Sequence, residues 1–108
     1  MEYSIIITTT DSDEEARSLS AKLVEKKLAA CVQVSSIKSF YTWKGEVHND
    51  PEYKLLIKTR KELYRKVESF ICENHSYEVP EIIEVPIRSG LDGYLGWIAG
   101  ETDVPHGG

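Results

Sequence analysis

Cysteine is scarce in this 108-residue chain: Cys31 and Cys72 are the only two, and no Cys-x-x-Cys spacing joins them. Neither a disulfide framework nor a zinc knuckle follows from such a pattern. Basic charge is also in short supply, with 13 Lys and Arg against 18 Asp and Glu and a formal charge of −5. That balance argues against nucleic acid, and against an anionic membrane, as the main partner. No stretch approaches the ~18 apolar residues of a membrane span. The opening Met1-Glu2-Tyr3-Ser4 has no basic segment followed by an apolar run of signal length, so a cytoplasmic protein is expected.

Signatures of catalysis are missing as well. The chain contains no Gly-x-Gly-x-x-Gly, phosphate loop, Gly-x-Ser-x-Gly or His-Glu-x-x-His. Nor does it carry the basic loop with glycine and arginine that marks an acylphosphatase. The carboxylate pair Glu14-Glu15 falls in the first turn of an expected helix, where the helix dipole accounts for it. A protein that is not an enzyme is expected.

What the chain does have is a pair of unusually long β-rich runs between Leu28 and Thr59, joined at Trp43-Lys44-Gly45-Glu46. Each arm holds about 14 residues, so a straight arm would span roughly 46 Å at ~3.3 Å per residue. A compact chain of this length has a radius of gyration near ~13 Å, and an unbroken hairpin would project beyond it. The second arm alternates, with Val47, Tyr53, Leu55 and Ile57 on one face and Glu46, His48, Glu52, Lys54 and Lys58 largely on the other, as a half-buried strand does. The first arm does not: Val32, Val34 and Phe40 share one phase and Ile37, Tyr41 and Trp43 the other. Its distal half is apolar on both faces, which a neighbouring subunit would bury. Alternatively the hairpin bends back on itself at Ser35-Ser36 or Asn49-Asp50-Pro51.

Around this hairpin the remaining elements fall in order. Ile5-Ile6-Ile7 with Thr8-Thr9-Thr10 read as a central strand. Ser12 and Glu15 stand at capping-box spacing ahead of a helix carried by Ala16, Leu19, Leu23 and Val24 as far as Leu28. Thr59 and Glu62 repeat that spacing before a second helix with Leu63, Val67, Phe70 and Ile71, ending near Asn74. After the loop His75 to Pro80, Ile82, Ile83, Val85 and Ile87 make a strand that Pro86 confines to a sheet edge. Leu91, Tyr94, Leu95 and Ile98 make a short last helix, weakened by Gly93 and Gly96. The fold class is therefore α+β, a ferredoxin-like βαββαβ sandwich with a long β2-β3 hairpin and an extra C-terminal helix. One domain over 1–100 is expected, with a flexible tail over 101–108.

Two residues have the chemistry of a soft or borderline metal site, Cys31 and His75. Each also has a plainer reading: Cys31 as a compact buried residue and His75 as a helix-end residue that satisfies terminal carbonyls. A second group, Tyr41, Trp43, Lys58, Tyr77, Glu81 and Trp97, mixes large aromatics with ionisable groups near strand ends, where pockets form. Packing at a subunit interface explains the same residues.

Five segments in order resemble the CutA divalent-cation tolerance proteins: Leu28-Ala29-Ala30-Cys31-Val32, Tyr41-x-Trp43-x-Gly45-Glu46, Leu56-Ile57-Lys58-Thr59, His75-x-Tyr77-Glu78-Val79-Pro80-Glu81-Ile82-Ile83 and Tyr94-Leu95-x-Trp97. The resemblance covers residues 3 to 98. It implies a cytoplasmic, heat-stable homotrimer whose long hairpins wrap neighbouring subunits, and whose partners include metal ions. It also implies a role in tolerance of copper or other divalent ions without an obligatory cofactor. Of the copper ligands used by bacterial members, one cysteine corresponds to Cys31. An earlier cysteine falls at Thr8, and a histidine at Asn74 or His75. Ser76 stands where the family usually has proline. The second functional class compatible with the fold is a PII-like small-molecule or nucleotide-binding signalling trimer, which usually carries a longer flexible loop between the middle strands.

Overall fold

A run of β-branched residues is stiff at χ1 and fits a pleated strand covered on both sides, and Tyr3–Thr10 form such a strand, β1, inside the sheet. The computed structural model describes residues 1–102. Helix α1 (Asp13–Glu25) starts as its capping residue dictates, the Ser12 hydroxyl accepting from Glu15 N at 3.1 Å. The reciprocal half of the box does not form, because the Glu15 carboxylate is engaged elsewhere. The helix also stops short of Leu28. Lys27 takes a left-handed φ of 61°, and the amides of Leu28 and Ala29 both return to Leu23 O, a C-terminal turn for which the sequence carries no glycine signal.

The hairpin is unbroken. Strands β2 (Cys31–Trp43) and β3 (Glu46–Arg60) pair antiparallel without interruption from Cys31 opposite Lys58 to Trp43 opposite Glu46, so the bend at Ser35-Ser36 or Asn49-Asp50-Pro51 does not occur. Lys44 and Gly45 turn the chain with φ of 51° and 81°, the paired positive values of a type I′ turn whose twist matches that of the strands. A long flexible loop between the middle strands is absent. With a longest extent of 45 Å and a radius of gyration of 14.7 Å, the molecule exceeds the compact expectation as the projecting hairpin requires.

The second expected capping box does not form. Thr59 and Arg60 complete β3, and the buried Thr59 hydroxyl donates to Leu28 O at 2.7 Å while Glu62 accepts from Arg60 at 2.6 Å. A 3-10 turn at Lys61–Leu63 then leads into α2 (Tyr64–Asn74), whose start has no side-chain cap. Strand β4 (Ile82–Ile87) lies at an edge, as Pro86 requires, and α3 (Asp92–Glu101) follows. The strand order is β2-β3-β1-β4.

Residues opposite one another in the register share a face. Ile6, Leu55 and Ile57 look to one side, where Ala16, Leu19 and Leu23 of α1 and Val67 and Ile71 of α2 complete a fully buried core. The other side carries Ile5, Ile7, Leu56, Ile83 and Val85, and no layer covers it throughout: Ile83 is 49% exposed and Val85 42%. Helix α3 packs against β3 at one end of this face. The buried Arg60 anchors it there, Nε donating to Thr102 Oγ1 at 2.8 Å and Nη2 to Thr102 O at 3.0 Å. Of the expected tail 101–108, Glu101 is helical and Thr102 is buried; the rest, 103–108, lies outside the described residues. Among the described residues, no helix is long and apolar enough to cross a membrane.

Candidate functional site

Along the projecting part of the hairpin, three parts of the chain meet around a cleft of about 800 Å³. The hairpin contributes Tyr41, Trp43, Asp50 and Glu52, the end of β1 contributes Thr9 and Asp11, and the segment after α2 contributes Tyr77, Val79 and Glu81. Strand alternation places Tyr41 opposite His48, whose ring stacks on it at 5.6 Å between centroids. The Tyr41 phenol donates to Asp50, and this bond holds its pKa above the ordinary tyrosine value. Tyr77 donates to Glu52 at 2.8 Å; burial first, and the same bond second, push its phenol up. Aromatic faces beside the carboxylates of Asp11, Asp50, Glu52 and Glu81 make a surface suited to a cationic group.

The cleft unites four of the six aromatic and ionisable residues singled out above, Tyr41, Trp43, Tyr77 and Glu81. The other two lie elsewhere. Lys58 stands with its ammonium 3.2 Å from the Tyr94 hydroxyl and 5.3 Å from the ring centroid, and Tyr94 stacks on Trp97 at 5.6 Å. Glu52 and Lys58 lie six positions apart along β3, about 20 Å of extended chain. Sequence reasoning missed Tyr94, Asp11, Asp50 and Glu52. The alternation of β3 could have placed Asp50 and Glu52 on the face of Tyr41, but Asp11 needs the pairing of β1. A second concavity, about 860 Å³, lies among Met1, Glu2, Lys61, Glu62, Tyr64, Arg65 and Glu84, and none of the six lines it. There the hydrogen bond from Tyr64 to Glu68, aided by burial, pushes the phenol up to about 12.

Cys31 and His75 are not brought together within one chain. Cys31 is half-buried at the start of β2, opposite Lys58. His75 lies beside Thr9, which is opposite Lys54. Their levels on β3 therefore differ by four residues, about 13 Å, with two inter-strand spacings besides. The His75 side chain is 0% exposed and both ring nitrogens are engaged, Nε2 with Thr9 O at 2.7 Å and Nδ1 accepting from Tyr77 N at 3.0 Å. The helix-end carbonyl is satisfied instead by Asn74, which donates to Phe70 O at 2.8 Å. Thr8, at the position of the family's early cysteine, faces the core opposite Leu55 and Ile82. Among the described residues no three His, Cys, Asp or Glu side chains cluster as metal ligands would. The residues of a single chain do not fit the copper site that the resemblance implies.

An antiparallel four-stranded sheet with two helices on one face and a hairpin extended from its edge defines a ferredoxin-like protein of the long-hairpin type. The chain belongs to the CutA1 divalent ion tolerance family, whose profile matches residues 4–101. It is 41% identical over 96 residues to the divalent-cation tolerance protein CutA of Archaeoglobus fulgidus, covering 89% of this chain and 94% of that one. A solved structure of the periplasmic divalent cation tolerance protein CutA from Archaeoglobus fulgidus superposes with a TM-score of 0.90 at 39% identity, over 94% of this chain and 99% of that one. Protein CutA, chloroplastic, of Arabidopsis thaliana is 40% identical over 99 residues, 91% of this chain. The chain spans about half of that relative's length, 54%.

Proposed function

We propose that this protein acts as a cytoplasmic homotrimer in the tolerance of divalent metal ions, in a non-catalytic role. The observation that carries the assembly is the apolar sheet face of Ile5, Ile7, Leu56, Ile83 and Val85, which the chain's own helices leave partly bare. A monomer rarely leaves so continuous an apolar surface in water. The hairpin adds Phe40, Trp43 and Val47, exposed on both of its faces. In a ring of three, the cleft of Tyr41, Trp43, Tyr77 and Glu81 receives the Lys58 and Trp97 of the next subunit together with the Tyr94 between them, and these seven residues form one intersubunit pocket. Acid on one side and a cation on the other favour this pairing.

Metal enters this reading through Cys31. Its thiol is the soft donor that copper(I) prefers, and with neither a second thiol nor a free imidazole beside it among the described residues the affinity is weak. Sedimentation equilibrium tests the assembly. A mass near three times the 12.3 kDa of one chain is expected, and a monomer at micromolar concentration would exclude it.

A further inference from the structure

We infer that His75 is a positioning residue, which fastens the segment after α2 to the end of β1 and sets Tyr77 into the cleft, and that it is not a metal ligand in this chain. Its ring has two nitrogens and two uses. Thr9 O can only accept, so Nε2 carries the ring hydrogen; Tyr77 N can only donate, so Nδ1 presents its lone pair to it. An imidazole binds a metal through a lone pair. At Nδ1 that lone pair is occupied. At Nε2 it exists only in the other tautomer, which would turn an N–H of the ring against the N–H of Tyr77.

The neighbours of the ring serve the same fastening. The Glu15 carboxylate accepts from the Thr10 hydroxyl, from Ser76 N at 3.0 Å and from Ser76 Oγ at 3.2 Å, with one oxygen 3.6 Å from His75 Nδ1. His75 and Ser76 are thereby held from β1 and α1, and Tyr77 through His75. The Tyr77 ring lies 4.8 Å from the imidazole and its phenol closes onto Glu52. Ser76 has a part that proline could not play, since proline has no N–H to give Glu15. All of these bonds form within one chain, with or without a trimer.

The test uses the full chain and three variants, His75→Ala, His75→Asn and Ser76→Pro. Asparagine keeps an acceptor near the place of Nδ1 and can bond the amide two residues on, so it should restore what alanine removes. Hydrogen exchange at the Tyr77 amide should speed up at least about tenfold in His75→Ala and return towards the wild-type rate in His75→Asn. Ser76→Pro should speed it up as well. Competition with a copper(I) chelator should be the same within about twofold for wild type, His75→Ala and His75→Asn. On the wild-type protein alone, the imidazole resonances of His75 should show the Nε2–H tautomer and should not move with one equivalent of copper(I). Movement of those resonances, or copper competition lost in both histidine variants, would overturn the inference; so would unchanged Tyr77 exchange in His75→Ala.

Discussion

Tyr77 and Glu52, 25 residues apart in the chain, are joined by a 2.8 Å hydrogen bond from phenol to carboxylate that ties the segment after α2 to the hairpin. Removing it as Tyr77→Phe should cost about 1.5–3 kcal/mol, the usual worth of a bond to a charged group. The phenol's folded pKa is raised, so its contribution is complete below the unfolded tyrosine value of about 10. It is lost as pH climbs through the folded value. Urea midpoints of wild type and Tyr77→Phe should therefore differ steadily from pH 7 to 9 and converge above pH 10. A gap that widens with alkali would contradict the assignment.

Charge placed on the bare sheet face should break the assembly. Val85→Asp is expected to sediment as a folded species smaller than a trimer, and its melting temperature should become the lower one at every concentration. Lys58→Glu should weaken association too, and adding Glu81→Lys should restore it, because the pocket is read as acid facing cation across subunits. If wild type is a trimer and the charge exchange has no effect, the interface is right and the pocket is wrong. The wild-type trimer should resist heat strongly, since unfolding must break subunit contacts together with the core.

Copper(I) binding should depend on one side chain. Cys31→Ser is expected to lower competition with a copper(I) chelator at least about tenfold, and wild-type affinity should fall towards acid pH because the thiol gives up its proton on binding. Equal competition by wild type and Cys31→Ser would place the metal elsewhere and leave Cys31 as a packing residue.

Thr102 anchors α3 through the buried Arg60. Thr102→Val keeps the shape and removes the hydroxyl that accepts from Arg60 Nε at 2.8 Å, so a loss of about 1–3 kcal/mol is expected. The urea midpoint at fixed protein concentration measures it. An unchanged midpoint would mean that α3 is held without this contact.

Local pattern alone determined much of this protein. Period-two alternation in β3, the β-branched run of β1 and the Lys44-Gly45 turn each act between near neighbours in the chain. They set the hairpin, its projection and the ferredoxin-like order without reference to anything distant. Five short segments were enough to identify the family. Tertiary structure decided what side chains with several possible partners would do. Thr59 spaces a capping box with Glu62, yet its hydroxyl is buried and donates to Leu28 O, far away in the chain. Glu15 belongs to a helix start, yet its carboxylate reaches across to Ser76. His75 has the chemistry of a ligand, yet burial against Thr9 and Tyr77 leaves neither nitrogen open. Tyr41 and Lys58 share one face of the hairpin but fall into separate clusters, because strand length sets how far apart they lie. A hydrogen-bonding group takes the partner that burial brings to it, and burial is a property of the whole fold.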